Sequence, residues 1–230
     1  MNPRTPRARR AAAAAFALTA ALTLAACGQD APAPPGEAKP GVSRADDASP
    51  YKGTELTTPF AKPDLQLTDD QGKPFDLRKD TAGRTVLLFF GYTNCPDVCP
   101  TTMGDLSTAL ARQPQSVRDN VEVVFVTTDP ERDTPESLDT WLAAFGENFT
   151  GLSGDLAKVK KAALGVGISV DDPTKHHDGT VTSDHGTQVI AFTPDDNQGR
   201  VVYTSGTTVD DFAHDLPLLT RGVHTDARQQ

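Results

Sequence analysis

Cys95 and Cys99, in the stretch FFGYTNCPDVCPTTMGDL over residues 89–106, offer the most chemistry in the chain, and three residues separate them. A thiolate either attacks a disulfide or binds a soft metal, so the pair suits thiol–disulfide exchange and metal binding alike. With three cysteines in all, the chain supplies no set of four ligands of the kind a closed structural zinc site uses. A purely structural disulfide is the plainer alternative in an exported protein, but cross-linking across so short a loop removes little chain entropy from the unfolded state. Two soft thiolates suit Cu(I), and one nearby imidazole would complete a three-coordinate site.

The chain has five histidines, at 176, 177, 185, 214 and 224. His214 lies among acids in a C-terminal helical segment and His224 in a polar tail, so both read as solvated side chains. His176 and His177 sit in the polar loop DDPTKHHDGT and read as surface decoration, with an accessory metal contact as the alternative. His185 differs. In SDHGTQVIAF it directly precedes a buried strand, where a sheet edge presents side chains to a site, and Gly186 leaves room for close approach.

These residues need elements to hold them. Val86 to Phe90 is an unbroken apolar run, the pattern of a strand buried on both faces, and residues 121–129, VEVVFVTTD, form a second such strand. A residue before proline is pushed out of the helical region, so a helix is expected to start at Pro100 and run to about Gln113. That places both cysteines in the loop, with Cys99 near the N-cap, where unpaired amides and the helix dipole should lower thiol pKa. Thr134 and Pro135 cap a helix whose apolar residues Leu138, Trp141, Leu142 and Phe145 share one face. DLQLTDDQGKPFDL reads as a hairpin turning at Asp70–Gly72, LAKVKKAALGV as a helix closed by Gly165, and GISVDD as extended chain. TQVIAFTPDD and GRVVYTS form a second hairpin, and VDDFAHDLPLL a last helix interrupted by Pro217. Parallel strands first and antiparallel ones later describe an α/β fold, a thioredoxin-like three-layer α/β/α arrangement with a mixed central sheet.

Around this domain the composition changes. Residues 1–26 carry four arginines and then an alanine-rich apolar stretch, a lipoprotein signal peptide whose last residues, Leu24-Ala25-Ala26, directly precede Cys27. That junction resembles the bacterial lipobox, which makes Cys27 the lipidation site; the apolar part is short for a membrane span. Arg9-Arg10 leaves the export route open. Residues 27–50 are rich in Pro, Ala, Gly and charge and read as a flexible tether, 51–222 as the folded domain and 223–230 as a tail. Losing the leader removes four of 22 basic residues and none of 31 acidic ones, shifting the formal charge from −9 to −13. So acidic a protein is not built for nucleic acid.

FFGYTNCPDVCPTTM, VTTDPERDTPE and SDHGTQVIAFTPDDNQGRVV, in that order, resemble the signature blocks of the Sco/SenC family of membrane-anchored, thioredoxin-like copper proteins. The resemblance runs from about residue 58 to 215. It implies that Cys95, Cys99 and His185 ligate copper, as Cu(I) or Cu(II), that the two cysteines also form a redox disulfide, and that Asp129 supports the site. It further implies a metallochaperone rather than an enzyme, lipid-anchored on the extracytoplasmic face of the bacterial membrane. Its partners would be the cytochrome c oxidase subunit with the binuclear copper centre, a copper donor protein and a thiol reductant. Two departures stand out: Gly186 occupies a position where the family often has serine, and the polar insertion carrying His176 and His177 is long. An extracytoplasmic thiol–disulfide reductase acting on oxidase cysteines is the alternative from a different class, since it needs the pair but not His185. A sensor would use the same residues, while a peroxidase would need a peroxide-activating set around one cysteine that the chain does not show.

Overall fold

The computed structural model describes residues 49–223. The leader, Cys27, nearly all of the tether and His224 lie outside the described residues. In chain order, β1 (Thr54–Ala61), the hairpin β2 (Gln66–Asp69) and β3 (Pro74–Asp76) and the short α1 (Leu77–Asp80) precede β4 (Thr85–Gly91). Then come α2 (Val98–Ala111), α3 (Gln115–Arg118), β5 (Val121–Thr127), α4 (Pro135–Leu142), β6 (Phe149–Ser153) and α5 (Leu156–Gly165). A small hairpin of β7 (Thr174–Lys175) and β8 (Val181–Thr182) leads to β9 (Val189–Phe192), β10 (Gln198–Tyr203) and α6 (Val209–Leu219).

Eight strands form one mixed sheet in the order β1-β10-β9-β4-β5-β6-β2-β3. β4, β5 and β6 are parallel at its centre, β9 joins β4 antiparallel, and the outer pairings are antiparallel. Every residue of β4 and β5 is buried, as continuous apolar runs require when both faces are covered. Side-chain alternation divides them between two cores. Leu87 and Phe89 pack with Val123 and Phe125 against α2, α4 and α6. Val86, Leu88 and Phe90 pack with Val124 and Val126 against Leu77 and α5. The result is the thioredoxin-like three-layer arrangement that the segment order predicts.

Several boundaries differ from the sequence reading. β1 and β6 were not legible: β1 is an edge strand with a bulge and mixed burial, and β6 is only FTGLS. The α4 helix stops at Leu142, so Phe149 belongs to β6 and not to the preceding helix. Gly165 remains within α5, and the left-handed position is Gly167, at φ 75°. GISVDD makes no strand of its own; Val170 pairs with His185 as an isolated bridge. Thr134 caps α4 as expected, accepting from the amide of Ser137.

Pro217 does not interrupt α6. A proline inside a helix orphans the carbonyl four residues earlier, here that of Ala213. Gln113, buried just past the end of α2, donates its side-chain amide to this carbonyl at 2.9 Å. Between Ala213 and Pro217, Asp215 is fully buried and accepts from the amides of Lys52 and Gly53 and the hydroxyl of Tyr203 at 2.9–3.0 Å, which ties the start of the domain to the last helix. Among the described residues no helix is long and apolar enough to cross a membrane.

Two predictions follow from these buried polar groups. Gln113→Leu should cost about 1–2 kcal/mol in urea unfolding, because it strands a half-buried carbonyl. Adding Pro217→Ala, which restores the helix's own donor, should recover most of that loss; strictly additive effects would contradict the pairing. Lys62 is buried with its ammonium on the Thr81 hydroxyl at 3.0 Å, and burial pulls its pKa from 10.5 down to about 8. Between those values the unfolded chain holds a proton that the native state has released, so stability should rise with pH across the window. Chemical denaturation at pH 8 and 10 should show that rise in the parent and a smaller one in Lys62→Met.

Candidate metal and thiol centre

β4 ends at Gly91, at the edge of the sheet where β5 also ends, and the chain turns through Tyr92 to Cys95, whose amide donates to the Tyr92 carbonyl at 3.1 Å. The α2 helix starts at Val98, which puts Cys99 in its first turn instead of ahead of it. A proline costs little there, because first-turn amides have no intrahelical acceptor in any case. The pair is therefore divided: Cys95 sits in the loop, half-buried, and Cys99 in the helix, fully buried, with both thiols free. Asp97 is the N-cap residue but makes no side-chain cap bond. The Cys95 sulfur accepts the Cys99 amide at 3.4 Å instead, a weak cap that is easily given up.

Burial pushes the Cys99 thiol well above its ordinary pKa, and its hydrogen bond to Cys95 adds to the rise. The lowering expected from the helix terminus does not prevail at Cys99, since desolvation of a thiolate in the core outweighs it. Gly91 is what makes room for this sulfur. A Cβ at 91 would stand 2.9 Å from Cys99 Sγ and from the Phe125 ring.

His185 reaches the same place from the far side of β4. Its Nε2 lies 3.9 Å from Cys99 Sγ, and its Nδ1 lies 2.9 Å from the Gly186 carbonyl. A carbonyl only accepts, so Nδ1 carries the proton of the neutral ring and Nε2 presents a lone pair to the sulfur. Burial also lowers the imidazole pKa, which keeps the ring neutral. Phe89 and Tyr92 meet it edge-on at 6.2 and 6.1 Å. The backbone beside it is held by the Gly186 amide on Ser169 O at 3.0 Å, and Ser183 Oγ bonds Thr128 Oγ1 at 2.7 Å at the end of β5. At Gly186, the space a larger residue would use is filled by the Gln188 side chain and by Ile168.

Asp129 is buried just past β5, with its carboxylate paired to Arg132, which in turn donates to Val181 O at 3.1 Å and so holds the β7–β8 hairpin. The residue that grips the cysteine loop is Asp133. Fully buried, it accepts the amide of Thr93 at 3.0 Å and the hydroxyls of Thr93 and Thr127, each at 2.6 Å. Sequence reasoning passed over it, although an acid four residues beyond a strand-ending acid and followed by a capping threonine was a usable signal. His176 and His177 are exposed on the small hairpin, and His214 is bonded through Nδ1 to Asp215 at 2.7 Å. Among the described residues no three His, Cys, Asp or Glu side chains are already closed around a common metal position. Cys99 and His185 adjoin, while Cys95 is turned toward the helix amide. The donor types suit a soft, monovalent metal.

The pattern that defines the SCO1/SenC family matches residues 54–219. The chain belongs to that family. Among solved structures of SCO1/SenC relatives, apo Sco1 from Thermus thermophilus is 34% identical with a TM-score of 0.65, covering 75% of this chain and 99% of its own. ScoI from Bradyrhizobium japonicum, solved with copper bound, is 33% identical with a TM-score of 0.59 over 70% of this chain and 98% of its own. A SCO1/SenC lipoprotein from Bacillus anthracis is 28% identical with a TM-score of 0.58, over 71% and 98%. The chain spans 65% of a Stutzerimonas stutzeri relative and about half the length of several mitochondrial SCO proteins it matches.

In this SCO1/SenC chain, Gly91→Ala should displace the Cys99 sulfur. We expect a loss of about 1–3 kcal/mol in thermal or urea unfolding, together with faster alkylation of Cys99 in the folded protein. Unchanged stability and labelling would show that the close approach is not a constraint.

Proposed function

We propose that this protein is a copper carrier and not an enzyme, binding copper through Cys95, Cys99 and His185. In this reading it is held by a lipid on Cys27 at the extracytoplasmic face of the bacterial membrane. It delivers the metal to the cytochrome c oxidase subunit with the binuclear copper centre, after loading from a donor protein and reduction of the cysteine pair. The observation that carries the reading is a buried sulfur facing an unprotonated imidazole nitrogen at 3.9 Å, with a second thiol one loop away. Two thiolates and one neutral nitrogen make a low-coordinate soft site, open enough for an acceptor's thiols to replace ligands one at a time. Copper bound in the Bradyrhizobium relative supports the metal, and the lipoprotein character of the Bacillus relative supports the anchor. A tether of some two dozen residues would raise the domain's effective concentration near a membrane-embedded acceptor.

A second reading is reduction of oxidase-subunit disulfides. It is favoured by the division of the pair, with half-buried Cys95 next to an amide donor and Cys99 behind it. The Cys95 thiolate would attack the substrate disulfide and release one substrate thiolate. Deprotonated Cys99 would then attack the mixed disulfide, releasing the second thiolate and leaving Cys95–Cys99 oxidised.

An anaerobic titration of the reduced, leaderless protein with Cu(I) against a competing chelator, followed by X-ray absorption, separates the two. The carrier reading expects one tightly bound copper with two sulfurs and one nitrogen, and a loss of about hundredfold or more in affinity for His185→Ala. Absence of tight binding would defeat it. In that case Cys95→Ser should abolish disulfide exchange, while His185→Ala leaves its rate nearly intact.

A further inference from the structure

Beside the candidate centre lies a cleft of about 240 Å³ walled by both segments that carry the proposed ligands. Asp97 and Val98 come from the cysteine loop, Asp105 from one face of α2, Thr187 from the histidine loop, and the last wall is the β10–α6 connection. A hydrogen bond of 2.9 Å between the Thr187 and Ser205 hydroxyls ties two of these walls together. The floor is apolar, formed by Val189, Phe212 and the ring of Tyr203, whose hydroxyl points away to Asp215. Val98, between the two cysteines, is 38% exposed, and among the described residues Leu164 is the other large apolar side chain left so open.

The charge is one-sided. Two carboxylates line the cleft and no lysine or arginine does. Neither carboxylate enters an ion pair among the described residues, and Asp97 makes no cap bond with its side chain. The α2 N-terminus contributes about half a positive charge, which two full negative charges outweigh. The geometry points to a docking cleft for a segment of the copper-exchanging protein partner, one that carries a lysine or arginine next to its thiols. The aliphatic stem of such a side chain would cover the floor, and its head would reach Asp97 and Asp105. Meanwhile the neighbouring thiols would lie against Cys95. This rests on the carrier reading and deepens it by naming what the site recognises. Transfer of Cu(I) in this arrangement is ligand exchange without electron transfer: the partner's two thiols lose protons as they take the metal, and Cys95 and Cys99 regain them.

The test uses two synthetic peptides with the same cysteine pair, one flanked by lysines and one by glutamates, and the leaderless protein loaded with Cu(I). Stopped-flow transfer to the lysine peptide should be faster by about tenfold at low ionic strength, an advantage that salt removes. Asp97→Asn/Asp105→Asn should abolish that preference with Cu(I) affinity unchanged. A control neutralising Asp64 and Glu147, exposed acids outside the cleft, should keep it. Equal rates for the two peptides, or a preference that survives the cleft variant, would overturn the proposal. Because a failure to hold copper would silence that assay, the metal-free protein is also titrated with serine-substituted peptides by NMR. Amide shifts at Val98, Thr187 and Ser205 with the lysine peptide alone would uphold the cleft even if the carrier reading fell, and their absence would sink it.

Discussion

A carboxylate buried without a counter-ion must be supplied with hydrogen-bond donors, and at Asp133 those donors decide where the cysteine loop lies. Thr93 gives its amide and its hydroxyl, and Thr127 gives a second hydroxyl from the end of β5. Leaving such a group unsatisfied would cost more than an ordinary hydrogen bond is worth, so the loop and the strand end are fixed to each other. Cys95 follows Thr93 by two residues and has little freedom in its backbone. The mirror connection, from Ser183 to Thr128, fixes the approach to His185 on the same strand end. Two chain segments far apart in sequence are thus registered against one anchor, the start of the β5–α4 connection.

What is anchored there is kept dry, and dryness acts on the two inner donors in opposite directions of charge. The Cys99 thiol is biased toward its protonated form and the His185 imidazole toward its unprotonated one, so both rest neutral in the core. A neutral pair in contact avoids the penalty of burying an ion. Arrival of a monovalent cation would reverse the preference at the sulfur, because the thiolate would then have its counter-charge beside it.

Most of this was legible where one physical signal dominated. Continuous apolar runs gave β4 and β5, helical periodicity with Thr134 and Pro135 gave α4, and the cysteine spacing with a histidine before a strand singled out residues of which the structure brings Cys99 and His185 together. Legibility failed where two local rules competed. Residue 99 before a proline argued against helix, but first-turn tolerance of proline prevailed. Pro217 argued for a break, but a side chain 100 residues before the orphaned carbonyl supplied the missing donor, which no local pattern announces. The thiol pKa was misjudged for the same reason: helix position can be read from sequence, whereas depth of burial depends on what packs above. Asp133 was hidden by its neighbour, since its role arises only when Thr93 folds back onto it.

The parity of β4 adds a last consequence. Leu87 and Phe89 point into the layer beneath α2, and the next position of that parity is Gly91, whose missing side chain is replaced by the Cys99 sulfur. The sulfur is therefore one more rung in the strand's own ladder of core contacts. A slip of β4 by a single residue would set a large aromatic ring where the sulfur rests. Strand register thus proofreads the thiol centre: a molecule that has paired β4 wrongly cannot seat Cys99, and its thiol would be left outside the core.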